Sequence, residues 1–424
     1  MERKRWSEAG EFLKLLADLL PQGSYLVGGT VRDLLLGREP ADFDAVVPAG
    51  AEAVARRLAQ KLGGSYFGFK KEHLPVRGEV HTAVVPFKGR SFRVDLSEYR
   101  SLEEDLGERD FTVNAMALSP KEALSESPEP VDPFGGLADL GRRLLRPVRY
   151  ENLLKDPLRM LRAYRLAREL DFKVEPALRE FVRKNARLLA SAAPERTLAE
   201  LLKPFKGPSP SRFLEDLLDG GLAAVLLSPL SPEEVQKGLS LLRKVEGRKP
   251  TFGSLKGGRT FLGEFDEELV PKLAALFAFA DRKKVEDLLG RYPFGRELKD
   301  CVLKTLGGLA ELEEKSPETA AEKAAFLKRF EGCLFPILEL ALAMGLKGEA
   351  ESLASFYRER YRRFKKPLLD GREVMRLLGI KPSPLVGRLL EELTRAQLEG
   401  RVSSTEEARD LIFKLFERWR KRSE

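Results

Sequence analysis

The run from Tyr25 to Val47 leaves this chain few options. It reads Tyr25-Leu26-Val27, then Gly28-Gly29-Thr30-Val31-Arg32-Asp33, a short helical stretch, and Asp42-Phe43-Asp44-Ala45-Val46-Val47. That order predicts strand, tight glycine turn, short helix and second strand. In a strand, residues two apart share a face and stand roughly 7 Å apart. Asp42 and Asp44 therefore project together as candidate metal ligands. Mg²⁺ is typically held by one or two carboxylates, with water and substrate phosphate filling the rest of its shell. Two such ions about 3.5–4 Å apart can clamp the attacking and leaving oxygens of a phosphoryl transfer. Gly28 and Gly29 let backbone approach a triphosphate, and the helix that follows offers N–H groups to an anion. The stretch is not a Walker loop, because no Gly-Lys-Ser/Thr follows. It is not a calcium loop either, because Ala45-Val46-Val47 supplies no ligand and no glycine. A nucleotidyl-transfer core with Mg²⁺ as cofactor is the expectation.

The surroundings suit a small mixed sheet with helices packed on it. Phe12, Leu13, Leu15, Leu16, Leu19 and Leu20 recur at helical spacing before Pro21-Gln22-Gly23. Ala51 to Leu62 reads as a second amphipathic helix. Ser65–Phe69, Thr82–Phe87 and Phe92–Leu96 read as strands, the last two joined by Lys88-Gly89-Arg90. The net charge of +8 favours a polyanionic partner. Cys301 and Cys333 are the only cysteines, which excludes a disulfide framework and a cysteine zinc site. The two histidines, His73 and His81, are too few for a histidine metal site. With no apolar run of membrane length and no signal peptide, a cytoplasmic protein without membrane contact is expected.

Gly28-Gly29-Thr30-Val31-Arg32-Asp33 followed by Asp42-Phe43-Asp44 resembles the signature of the class II tRNA nucleotidyltransferases. These are the CCA-adding enzymes and bacterial poly(A) polymerases of the polymerase β-like superfamily. The resemblance continues in order. Glu108-Arg109-Asp110-Phe111-Thr112-Val113-Asn114-Ala115 is similar to the family's second motif, usually Arg-Arg-Asp-Phe-Thr-x-Asn-Ala. It implies that Arg109 contacts the nucleotide, that Asp110 accepts from the ribose 2′-hydroxyl, and that Asn114 holds this turn or the nucleotide. Asp95, in Phe92-Arg93-Val94-Asp95-Leu96, stands where the superfamily's third catalytic acid is found. Gly28, Gly29 and Arg32 fall to nucleotide binding by the same resemblance. Lys155-Asp156-Pro157-Leu158-Arg159 resembles the fourth motif, Glu-Asp-x-x-Arg, a protein template for the incoming base. Asp156 also reads as a helix N-cap, with Pro157 in the first turn. Cytosine and adenine present an amine beside a ring acceptor, so Asp156 would accept and Arg159 donate. Guanine and uracil would set a carbonyl against the carboxylate. Arg162 and Arg165 lie on or near the same helix face and are expected near phosphates. Ala193 to Leu201 resembles the fifth motif, expected to brace the neck. Glu108 and Lys155 depart from the pattern, which has arginine and glutamate there.

The expected fold is α+β: a polymerase β-like head at 1–145, then a helical neck at 146–204, a helical body at 205–340 and a helical tail at 341–424. The tail segment from Asp370 to Pro382 resembles bacterial members. Arg358, Arg360, Arg362, Arg363, Lys365 and Lys366 are candidates to track tRNA phosphates. Full CCA-adding members carry a longer loop between the strand of the third acid and the second motif, whereas here Tyr99-Arg100 runs almost directly into Ser101-Leu102-Glu103. The expectation is therefore a CC-adding enzyme acting on tRNA with CTP, alternatives being a complete CCA-adding enzyme using CTP and ATP, a poly(A) polymerase, and an RNA-binding protein with an inactive head.

Overall fold

A computed structural model describes residues 8–69 and 79–423, and His73 lies outside them. The chain divides into two compact units. The first runs up to Pro204 and includes Arg212–Leu226; the second comprises Phe205–Ser211 and Leu227–Glu424.

The first unit opens with helix α1 (Ala9–Leu19), which buries Phe12, Leu13, Leu16 and Leu19 along one stripe. Six strands follow: β1 (Tyr25–Val27), β2 (Asp42–Val47), β3 (Ser65–Phe69), β4 (Val80–Phe87), β5 (Arg90–Glu98) and β6 (Ala117–Leu118). Their order in the sheet is β3-β4-β5-β2-β1-β6. Only β2 and β5 run parallel; the other neighbours are antiparallel. Lys88 and Gly89 turn β4 into β5 with φ of +49° and +84°, the two left-handed positions of a tight hairpin. The hairpin strands are longer than the apolar alternation alone indicates.

One face of the sheet is apolar. Phe43 of β2 and Phe92 of β5 are fully buried against Phe12, with Phe12 stacked 4.5 Å from Phe92. Helix α2 (Gly29–Leu35) joins β1 to β2, and helix α3 (Ala51–Leu62) packs on β4 and β5. On a pleated strand the alternate residues point away from this core, which places Asp42 and Asp44 on the other face. There a second cluster forms from Val27, Val46, Leu106, Ala115 and Ala117. It seats helix α4 (Leu102–Gly107) and the Arg109–Asn114 segment against the β1–β2 edge.

Five more helices complete this unit's main framework: α5 (Gly136–Arg142), α6 (Tyr150–Lys155), α7 (Leu158–Leu170), α8 (Pro176–Asn185) and α9 (Pro194–Leu202). The α+β class with a mixed sheet followed by helices is as the sequence indicates.

The second unit is almost wholly helical. Capping boxes start three of its helices, Ser231 with Glu234, Thr319 with Glu322 and Asp370 with Glu373. Cys301 and Cys333 are buried free thiols with sulfurs 2.9 Å apart. Several basic groups expected along tRNA phosphates are tied within the unit. Arg360 donates to the carbonyls of Leu398 and Glu399, Lys365 pairs with Glu331, and Arg358 meets Ser254. Among the described residues no helix is long and apolar enough to cross a membrane.

Gly238 sets how closely helices Pro232–Val245 and Leu269–Phe277 approach. A β-carbon there would overlap the backbone carbonyl of Leu276. Helix propensity alone favours alanine by about 1 kcal/mol, but a backbone carbonyl cannot rotate away. Gly238→Ala is expected to destabilise this unit by about 2 kcal/mol. Urea unfolding would measure it, and an unchanged or raised midpoint would refute the packing argument.

Candidate active site

The site is assembled where β1 runs into the glycine turn beside β2. Gly28 has φ +69°, and a β-carbon on it would lie 2.8 Å from Nη1 of Arg109 and 3.1 Å from Oδ2 of Asp44. Only glycine leaves room for that guanidinium beside the carboxylate. Thr30, in the first turn of α2, locks the strand below: its Oγ1 accepts from the Asp44 amide at 2.8 Å and donates to the Asp42 carbonyl at 3.2 Å. Composition and motif reading overlooked Thr30, because the hydroxyl's partners become visible only when α2 folds onto β2.

Asp44 stands in register with Asp95 across the parallel β2–β5 pair, and Asp42 with Arg93. The three candidate acids thus share one face. Asp44, Asp95 and Arg109 line a small cleft with Val80 and Ser97. Asp95 accepts from Thr82 Oγ1 at 2.6 Å and from Arg93 Nε at 3.0 Å, both on the same oxygen. Partial desolvation raises the Asp42 pKa; Arg93 opposes this shift and the Asp95 charge adds to it. A divalent cation would relieve that crowding of negative charge. Among the described residues, no group of three or more His, Cys, Asp or Glu side chains could hold a metal ion. Two strand carboxylates without a full protein cage suit a hard cation that keeps water and takes oxygens from a phosphate substrate.

Behind the carboxylates runs a network of alternating charge. Arg32, buried, donates to Asp33 and to Asn114 Oδ1 at 2.8 Å. Asn114 Nδ2 donates to Asp110 Oδ1 at 3.1 Å, which also accepts the Phe111 amide at 2.9 Å. The other Asp110 oxygen takes Nε and Nη2 of Arg162 at 3.0 and 2.7 Å. Arg162 continues to Glu200 of α9, which also accepts from Arg165 and Lys203. Burial pushes the Asp110 carboxyl up, but Arg162 and Arg159 and the hydrogen bonds from Asn114 and Arg162 outweigh it, leaving its pKa well below the usual carboxylate range. Four donors thus meet the Asp110 carboxylate, which ties the Arg109–Asn114 segment of the head to α7 of the neck. Arg165, expected near phosphates, is buried and paired with Glu200 and Glu169.

Arg109 is itself fixed by Asp105, one helical turn earlier, at 2.9 Å. Asp156 is not an N-cap. It ends α6 with non-helical dihedrals, no side chain caps α7, and its carboxylate turns to Arg196 at 2.7 and 3.3 Å. Arg159 Nε lies 3.9 Å from the same carboxylate, and its Nη1 donates to the Glu108 carbonyl at 2.9 Å. Asp156 and Arg159 are thus side by side as the i, i+3 spacing requires. On α9, Arg196 holds Asp156 and Glu200, four residues on, holds Arg162 and Arg165, so the fifth-motif helix braces α7.

Residues 24–146 match the family described as "Poly A polymerase head domain", 171–233 an RNA- and SrmB-binding site of polymerase A, and 267–410 a domain 2 of tRNA nucleotidyltransferases. A CC-adding tRNA nucleotidyltransferase of Synechocystis sp. is 33% identical over 92% of this chain and 93% of its own length. An A-adding tRNA nucleotidyltransferase of Deinococcus radiodurans is 32% identical over 94% and 96%. The CCA-adding enzyme of Thermotoga maritima, solved in complex with tRNA, superposes with a TM-score of 0.67 at 26% identity, covering 96% of each chain.

Proposed function

The chain belongs to the class II tRNA nucleotidyltransferase family, enzymes of the CCA type, and on that premise we propose that it adds CMP to tRNA 3′ ends and stops after CC. The reaction is attack of the tRNA 3′-hydroxyl on the α-phosphate of CTP, forming the phosphodiester and releasing pyrophosphate. Asp42 and Asp44 are the proposed ligands of Mg²⁺, with Asp95 adding charge beside Asp44. Bound there, Mg²⁺ supplies acidification of the attacking hydroxyl and neutralisation of phosphate charge. Gly28 and Gly29 leave space for the triphosphate. Arg109, aimed across Gly28, is placed to meet it, and Arg32, Asn114, Asp110 and Arg162 hold that segment in place. Asp156 accepts from the amine of cytosine while Arg159 donates to its ring nitrogen, so selection needs no nucleic-acid template.

The observation that carries the CC-only reading is the connection after β5. The strand ends at Glu98 and α4 starts at Leu102, capped by Ser101. Three residues leave no length for the flexible loop of full CCA-adding members. The test is incubation of tRNA lacking its CCA end with labelled CTP, labelled ATP, and both. The expected product gains two C residues, with no addition from ATP alone and none after CC. Efficient A addition after CC would make it a complete CCA-adding enzyme. Addition of A only to tRNA already ending in CC, or long A tails, would equally overturn the proposal.

A further inference from the structure

We propose that Glu108 and Lys155 are a positioning pair that holds the base-reading residues of the neck in register with Arg109 in the head. The inference rests on the base-reading role given above to Asp156 and Arg159. Three successive backbone carbonyls, those of Gly107, Glu108 and Arg109, are gripped by side chains from α6 and α7. Asn152 Nδ2 donates to Gly107 at 2.8 Å and to Arg109 at 2.9 Å, and Arg159 Nη1 donates to Glu108 between them. Lys155 Nζ then takes both Glu108 carboxylate oxygens, at 3.1 and 3.2 Å.

The place of this ion pair gives it leverage. Lys155 is the last residue of α6, and the next residue, Asp156, leaves the helix with φ −136° and ψ 89°. The Asp156 amide bonds the Asn152 carbonyl and its carboxylate meets Arg196, so the end of α6 and the α9 arginine together set the position of Asp156, and the Lys155–Glu108 pair pins the first of these to the head. Glu108 directly precedes Arg109 and is largely shielded, its side chain being 19% exposed. A lysine at a helix C-terminus also suits the local dipole. These are the positions at which the chain departs from the family's second and fourth motifs, and they face each other with the usual charges exchanged. Each substitution alone would set like charges together; as a pair they preserve the contact.

The experiment compares Glu108→Arg, Lys155→Glu and the double variant, with CTP and UTP on tRNA lacking its CCA end. Each single change is expected to lower kcat/KM for CTP about 10-fold and to narrow the CTP-to-UTP ratio, with melting temperature nearly unchanged. The double variant is expected to restore rate and ratio to within about threefold, the remainder reflecting an acid at the end of α6. Should a reversed-charge single fail to fold, Glu108→Gln and Lys155→Met remove the pair without repulsion, and a narrowed ratio is expected of each. Wild-type rate and ratio in the singles, or a double variant no better than the poorer single, would overturn the pair. A wild-type protein that incorporates no CTP would instead defeat the function proposed above.

Discussion

Asp44→Asn is expected to abolish nucleotide incorporation, by about 10³-fold or ~4 kcal/mol of barrier, while leaving tRNA affinity close to wild type. Asparagine keeps the shape of the side chain. Thr30 bonds the Asp44 backbone rather than its carboxylate, so β2 should stay in place. What is lost is the negative charge between Asp42 and Asp95 that would hold a divalent cation. Single-turnover incorporation alongside filter binding of tRNA separates the two effects, and Asp42→Ala should behave likewise. Incorporation within a few fold of wild type would remove these carboxylates from the chemistry.

The second large effect is expected on stability, at the junction of head and neck. Arg162→Ala removes both donors from one oxygen of Asp110, a residue only 7% exposed. It also takes one partner from Glu200. An uncompensated buried carboxylate costs about 3 kcal/mol, which urea unfolding would show as a lower midpoint. Replacing both partners, as Asp110→Asn with Arg162→Met, should recover much of that, because no unpaired charge remains. A single variant as stable as wild type would show that other groups satisfy Asp110.

The same pair sets an acid limit. Asp110 titrates lower in the folded protein than the usual value near 3.9. The unfolded chain therefore takes up the proton first as pH falls. The stabilisation is complete above about pH 4 and is lost progressively below it, toward the folded-state pKa. In Arg162→Ala the carboxyl is held less low, so less of the wild-type stability remains to be lost over that range. Unfolding curves at pH 3 and pH 6 should differ more for wild type than for the variant.

How far the sequence could be read depends on the range of the interaction. Asp42 and Asp44 were legible because strand period alone puts them on one face, and the glycine turn lies next to them in the chain. Motif spacing likewise kept Arg109 to Asn114 together. The N-cap reading of Asp156 failed for the opposite reason. A cap is a local rule, but its carboxylate found a stronger partner in Arg196, forty positions on. Asp110 likewise met Arg162, fifty-two positions on, and Glu108 and Lys155 look like separate oddities until α6 packs beside α4.

By itself, then, the sequence determined the strand–turn–helix–strand nucleus, the shared face of its two aspartates and the helical remainder, since each follows from backbone periodicity over a few residues. Only the tertiary structure decided which charges face which. Distant arginines and carboxylates carry no periodic signal, and their pairing is set by where folding places them out of water.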